Sequence, residues 1–434
     1  MRKHPPRPPA PPLALLLALA ASPGPAAGAD ASAAAPESEL YTRYNLFAFG
    51  VAHRQSGAER GFNLLALPRN QQQLDLRPDF GWTGAGLELG LKPRLSLLRS
   101  ETDMEFGLPG RQTYHASHAY INEGYVRYRA GDAFTFIAGR ENLQWGPAAL
   151  LSASNPFNPN NGKSNPNVEQ PGMDYVRAVY IPSGTWTLSL IANTGRGRLG
   201  REDRHSATVG SFALGAAAAL AGAREAVADF FDATEREQTG FDRTYAAKLD
   251  YTGDGHYASL LWSHRKHGLN RTGAFAGWNA SEALLVYGEA SVAQRRASQA
   301  PQRRDYRALL GGSYTLESGA TFTAEYFRNN AGCRLTPVAL CAGTALPQPR
   351  LPVLRRRYQL LQYVDTKVGG NTNLLLRAIR NADDHSHQAS LHIEYELGGH
   401  TQLYLTPTLS RGKAGSEFGT LPRRSLFYGL SYTF

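Results

Sequence analysis

From residue 41 onward the chain repeats one motif. Roughly ten residues alternate between apolar and polar side chains and are bounded by Gly, Asp, Asn or Pro. A period of two sends successive side chains to opposite faces of an extended strand. Read by that period, the first half contains strands at 41–53, 82–91, 94–105, 119–130, 133–145, 172–182, 184–193, 241–252 and 256–265. The second half contains 271–280, 281–292, 305–317, 319–329, 356–367, 371–381, 387–397, 400–410 and 424–434. The count is about 18, with about 16 as the nearest alternative.

The junctions follow a parity. Ala130-Gly131-Asp132, Pro182-Ser183-Gly184, Gly253-Asp254-Gly255, Glu317-Ser318-Gly319, Val368-Gly369-Gly370 and Gly398-Gly399-His400 have tight-turn chemistry. Lys92-Pro93 and the 280–281 junction complete the set. These fall at every second junction, and longer connections such as 146–171, 194–240, 293–304, 330–355 and 411–423 lie between them. Short periplasmic turns alternating with long extracellular loops are the pattern of a transmembrane barrel. The predicted fold is therefore all-β: a closed antiparallel β-barrel over 30–434, with both ends of the strand series in the periplasm.

The faces agree with closure. In 387–397, Ala389, Leu391, Ile393, Tyr395 and Leu397 alternate with Gln388, Ser390, His392, Glu394 and Glu396. In 281–292, Leu284, Val286, Ala290 and Val292 oppose Tyr287, Glu289 and Ser291. The apolar set is expected to face lipid and the polar set the lumen. Half of each strand then faces water, which reconciles a mean hydropathy of −0.38 with a membrane protein.

Composition adds the compartment. Arg2, Lys3, His4 and Arg7 precede the apolar run Leu13 to Ala21 and the small-residue site Ala27-Gly28-Ala29, the layout of a cleaved signal peptide over 1–29. No apolar run in the rest is long enough for a membrane helix, which needs about 20 residues. The formal charge is +10, and removing the three leader cations Arg2, Lys3 and Arg7 leaves +7. That balance fits an anion-attracting lumen, or a surface that meets outer-membrane lipid and lipopolysaccharide; with an export signal it argues against nucleic acid. The two cysteines, Cys333 and Cys341, share one Pro-rich loop and are expected to form a local disulfide in an oxidising compartment.

On the final strand, Leu426, Tyr428, Leu430, Tyr432 and Phe434 share one face. An alternating last strand ending in Phe resembles the signature of bacterial outer-membrane proteins, which implies recognition by the barrel-assembly machinery. A second resemblance lies in Trp145-Gly146-Pro147, Leu151-Ser152 and Asn155, followed by the Asn/Pro-rich run to Pro171. This block is similar to loops of porin-like, alginate-export-like and Wzi-type capsule-assembly barrels; its Trp145 to Asn155 part most resembles the capsule-assembly pattern, whereas Pro171-Gly172-Met173-Asp174-Tyr175-Val176-Arg177 downstream resembles porin-type barrels. Trp145 at a strand end reads as an interface anchor. Gly146-Pro147 breaks the ladder and predicts a structured loop that caps the mouth or folds into it. The 194–240 loop has a helix-favouring stretch at 211–239 with acidic residues, placed either in the mouth or on the outer rim.

Candidate selectivity residues are charges on the lumen face. Arg127, Arg129 and Arg140 are expected to form a basic ladder on neighbouring strands. Lys248, Arg307 and Arg377 are expected across from Asp250, Glu289, Glu325, Glu394 and Glu396. Such mixed ladders set up a transverse field that orients solutes. Trp145 and Asn155 are the candidates at the mouth. Asp383-Asp384-His385-Ser386-His387 reads as a solvated loop rather than a metal site, and no cofactor is implied. No nucleophile–base motif supports an enzyme, with His264 and Asp305 the residues left to place. The resulting expectation is an outer-membrane, porin-like channel for small hydrophilic, anionic solutes. The alternative is a capsule or exopolysaccharide assembly or export protein handling surface polysaccharide. Oligomeric state is not legible.

Overall fold

The computed structural model describes residues 38–54, 69–104, 110–157, 169, 172–197, 243–266, 269–294, 304–335 and 355–434. The leader, the 211–239 stretch and Cys341 lie outside these residues. The strands are β1 (Glu39–Arg54), β2 (Asn70–Gly84), β3 (Leu87–Met104), β4 (Gly110–Ala130), β5 (Phe134–Glu141) and β6 (Met173–Ser183). They continue with β7 (Trp186–Gly197), β8 (Thr244–Gly253), β9 (His256–Arg265), β10 (Leu269–Asn279), β11 (Leu284–Gln294) and β12 (Arg304–Thr315). The last six are β13 (Thr321–Asn329), β14 (Arg357–Val368), β15 (Thr372–Asn381), β16 (His387–Glu396), β17 (Thr401–Arg411) and β18 (Arg424–Thr433). Each is antiparallel to its neighbours in sequence, and β1 pairs with both β2 and β18, so one 18-stranded sheet closes on itself.

The alternation sorts the side chains as lipid and water require. Leu310 and Leu361 are 65% and 63% exposed on the outer face, while Arg307 and Glu289 are 2% and 3% exposed on the inner one. Leu426, Tyr428, Leu430, Tyr432 and Phe434 all lie outward, whereas Phe427 packs inward with Phe47, Phe49, Val51 and Tyr404. At the periplasmic end, ring pairs Phe134–Tyr180, Trp186–Tyr251, Phe322–Tyr363 and Tyr432–Phe434 form the aromatic girdle typical of the membrane interface.

One part of the strand reading is corrected. Lys92-Pro93 is not a turn: β3 runs through it with a register shift against β4. A bulge is where a strand tolerates proline, since no ladder donor is required there. The true turn is Ala85-Gly86, both with positive φ. The strand before it, β2, begins in the Asn/Gln-rich run from Asn70, whose inward residues Gln71, Gln73 and Asp75 are buried polar groups. The two errors offset each other, so the count of 18 stands. Outer connections are not uniformly long either, since β9 and β10 are joined across 266–268.

The lipid face predicts an asymmetric response to charge. Leu310→Arg, at the middle of β12, should destabilise the barrel by about 2–4 kcal/mol. Ser313→Arg, on the lumen side of the same strand, should cost much less. Guanidinium unfolding of the protein in phospholipid vesicles measures both, and equal losses would contradict the face assignment.

Candidate functional site: a constriction inside the barrel

After β5 the chain turns inward instead of continuing up the wall. Residues 148–155 are almost wholly buried, within the lumen of the barrel. The turn is held by a carboxylate on β11, six strands away around the sheet. Glu289 accepts hydrogen bonds from Ser152 Oγ (2.8 Å), Ala153 N (2.7 Å), Ser154 N (3.2 Å), Ser154 Oγ (3.3 Å) and, more weakly, Ala148 N (3.4 Å). Glu325 on β13 accepts from Ala149 N (2.5 Å) and Tyr287 Oη (2.8 Å). Ser291 Oγ donates to Ala153 O at 2.5 Å. Successive backbone N–H groups facing one anion form a nest, here occupied by the protein's own side chain. Gly146, at φ +89, lies so close that a Cβ there would overlap the Glu289 carboxylate. This is the physical reason for glycine at that position.

Asn155 stabilises the loop from within: its Nδ2 donates to Leu143 O (3.0 Å) and its Oδ1 accepts from Phe157 N (2.9 Å). Further along, Glu169 takes a bidentate contact from Nε of the buried Arg94 on β3, whose Nη2 also reaches Asp79 (2.8 Å). The β5–β6 connection is thus tied to two separate parts of the wall.

A second inward connection, 412–423 between β17 and β18, meets the first. Glu417 accepts from Tyr358 Oη (2.5 Å) and Asn381 Nδ2 (2.6 Å), and its own N–H donates to Asp384 (2.8 Å). Phe418 and Leu421 then pack with Leu150, Leu151, Leu309 and Phe327 in one apolar cluster inside the barrel. Cys333 joins this cluster and is disulfide-bonded. The constriction therefore has its own small hydrophobic core.

The candidate charges fall into three groups. Glu289, Arg307 and Arg377 point inward but are covered; Arg377 is held by Gln362 (2.6 Å), and Glu289 anchors the loop. Arg127 and Lys248 remain partly accessible on the inner wall. Arg127 pairs with Glu88 (2.9 Å) and Glu141 (3.5 Å), and Lys248 pairs with Asp250. Glu394 sits beside His392 (3.1 Å) and Asn373 (3.3 Å), while Glu396 and Arg129 are exposed toward the periplasmic end. Arg140 does not join Arg127 and Arg129 in a ladder. Arg127 is opposite Ile137, so Arg140, an odd number of residues further on, takes the other face and pairs with Asp174. Trp145 is not an interface anchor. It lies in the lumen, edge-on to Phe157 (5.6 Å) and 5.7 Å from Lys248 Nζ.

The sequence reading missed Arg94, Arg177, Arg271 and Asp305 as lumen residues. Arg271 Nη2 and Asp305 form a buried pair at 3.4 Å, which alternation alone places inward on β10 and β12. His264 is on the outer face with Trp262, so His264 and Asp305 are not brought together. Asp383 and Asp384 serve Arg357 and Ser386, and among the described residues no cluster of three metal-binding side chains occurs.

Removing the anchor should release the loop. Glu289→Ala strands the N–H donors of Ala153 and Ser154 and is expected to cost about 1–3 kcal/mol. It should also open 142–157 to protease, with Glu289→Gln intermediate. Wild-type melting and protease resistance in Glu289→Ala would show that other contacts hold the loop.

No protein-family model and no curated protein matches the sequence. Among solved structures, Pseudomonas aeruginosa OccK5 (OpdH) matches with a TM-score of 0.56 at 11% identity, over 91% of this chain and 98% of that one. Acinetobacter baumannii OccAB1 matches with a TM-score of 0.56 at 12% identity, covering 91% and 96%. Pseudomonas aeruginosa OccK11 (OpdR) gives 0.54 at 12%, covering 92% and 96%. The chain therefore has the closed 18-stranded barrel fold that these Occ outer-membrane porins share.

Proposed function

We propose that this protein is a porin-like channel of the outer membrane that passes small hydrophilic, anionic solutes. The fold supports the channel, and the two inward connections supply a narrow passage at which solutes are sorted. One observation carries the preference for anions. On the wall facing the β5–β6 connection, Arg177 of β6 stands near Lys248 of β8, and Lys248 pairs with Asp250. Arg177 donates to Ser189 (2.9 Å), and no carboxylate lies within ion-pair distance of it among the described residues. Among the described residues, its Nε and the indole Nε1 of Trp145 are buried N–H groups with no hydrogen-bond partner. Arg177 and Lys248 are half-buried rather than covered, so a passing carboxylate or phosphate can meet their charged ends.

The Trp145-Gly146-Pro147 block, similar to capsule-assembly barrels, has a local explanation here: glycine lets the backbone reach Glu289. No further observation favours polysaccharide handling.

Single-channel recording in planar bilayers tests the reading. Under a tenfold KCl gradient the reversal potential should indicate anion preference. Arg177→Gln with Lys248→Gln should shift it toward no preference while conductance persists. Absence of conductance at any salt would overturn the channel, and an unchanged reversal potential in the double variant would overturn the assigned site.

A further inference from the structure

The outer ends of the strands carry a charge pattern that the channel reading does not use. Arg54 of β1 lies directly opposite Arg424 of β18. On β17, Arg411 is opposite His387 of β16, which in turn is opposite Arg380 of β15. On β14, Arg357 is opposite Arg328 of β13, and Arg304 heads β12 two positions before Tyr306. Each shares the parity of the lipid-facing residues on its own strand: Arg424 with Leu426 and Tyr428, Arg411 with Leu409, Arg380 with Leu376, Arg328 with Tyr326. Eight consecutive strands, β12 to β18 and β1, thus each end in one outward, exposed basic side chain, and seven of the eight are arginine.

Their height follows from geometry. From Phe434 to Arg424 the chain climbs about 25 Å, at roughly 3.3 Å per residue and a tilt near 40°. That equals the height of the apolar band of such barrels, so the arginines sit where hydrocarbon gives way to headgroups. Among the described residues only Arg357 has an ion-pair partner, Asp383 at 2.6 Å. Burial works to raise the Asp383 carboxyl pKa, but the Arg357 guanidinium and the backbone N–H groups of Arg356 and Arg357 outweigh it and hold the pKa low. Arg328 lies over the Tyr306 ring at 5.7 Å. The neighbouring arc differs: β9, β10 and β11 carry His264, Asn270 and Gln294 at the matching level.

We infer that this arc is a docking surface for the phosphate groups of a phosphorylated glycolipid in the outer leaflet. An amphipathic partner is required because the arginines crown a lipid-facing wall. Phosphate is the fitting anion because the planar guanidinium matches it in a bidentate fork, and arginine is used where lysine would supply charge alone. A row spanning eight strands fits several lipid headgroups side by side better than one solute.

The full-length protein in detergent is mixed with bisphosphorylated lipid A or with the same glycolipid stripped of phosphate, and bound lipid is counted by native mass spectrometry. The wild type should retain the phosphorylated form at least tenfold better. The variant Arg380→Gln/Arg411→Gln/Arg424→Gln should lose that preference, and Arg243→Gln with His264→Gln should keep it, Arg243 being the exposed residue just before β8, opposite Lys266 past the end of β9 on the other arc. Heat-modifiable electrophoretic mobility verifies folding of each variant. Equal retention of the two lipids by the wild type overturns the inference without needing any variant. So does a preference that survives in the folded triple variant, or one lost equally from the other arc. Conductance has no part in this readout, so the channel reading stands or falls separately.

Discussion

Within hydrocarbon no water is available to satisfy a backbone N–H or C=O, so every strand must find two neighbours. The pairing of β1 with β18 is where this chain meets that requirement. Without it, two strands would expose unpaired edges to lipid; with it, all 18 strands form one continuous ladder. Everything else hangs on that ring. It determines which face of each strand meets lipid and brings residues more than a hundred positions apart within reach across the lumen.

The constriction illustrates the second effect. Glu289 is one carboxylate on one strand, yet it gathers donors from four residues of a connection that leaves the barrel six strands away. A buried carboxylate is costly unless its lone pairs are taken up by donors. The backbone N–H groups of an irregular loop need acceptors just as much. Each demand satisfies the other, and the apolar cluster around Leu150, Phe418 and Phe327 removes water from both. The outcome is a lumen narrowed by fixed parts of the chain, with Trp145 on the connection and Lys248 and Arg177 on the wall it faces.

Much of this was legible along the chain. Alternation with turn chemistry at every second junction was enough for a closed barrel of 18 strands, because lipid on one side and water on the other impose a strict period of two. Where the pattern was obscured, the reading erred. Asn70 to Asp75 contains too few apolar residues to show an outward face, and Pro93 looked like a turn although a bulge accommodates it. Arg140 was misplaced for a related reason: counting charges on neighbouring strands ignores register, and an odd offset reverses the face.

What the sequence by itself determined was thus the period, the faces and the count, all consequences of local geometry repeated strand after strand. The roles of the inward charges came only from the tertiary structure. Glu289 reads as one more lumen carboxylate until the 142–157 connection is seen folded onto it, 135 to 141 positions distant in the chain. Trp145 reads as an interface anchor until the inward turn at Gly146 carries it away from lipid. The basic arc at the outer rim, too, is scattered through the chain and becomes contiguous only when β18 closes on β1. Periodicity is a property of neighbours in sequence, whereas burial and charge clustering depend on which distant strands the closed ring sets side by side.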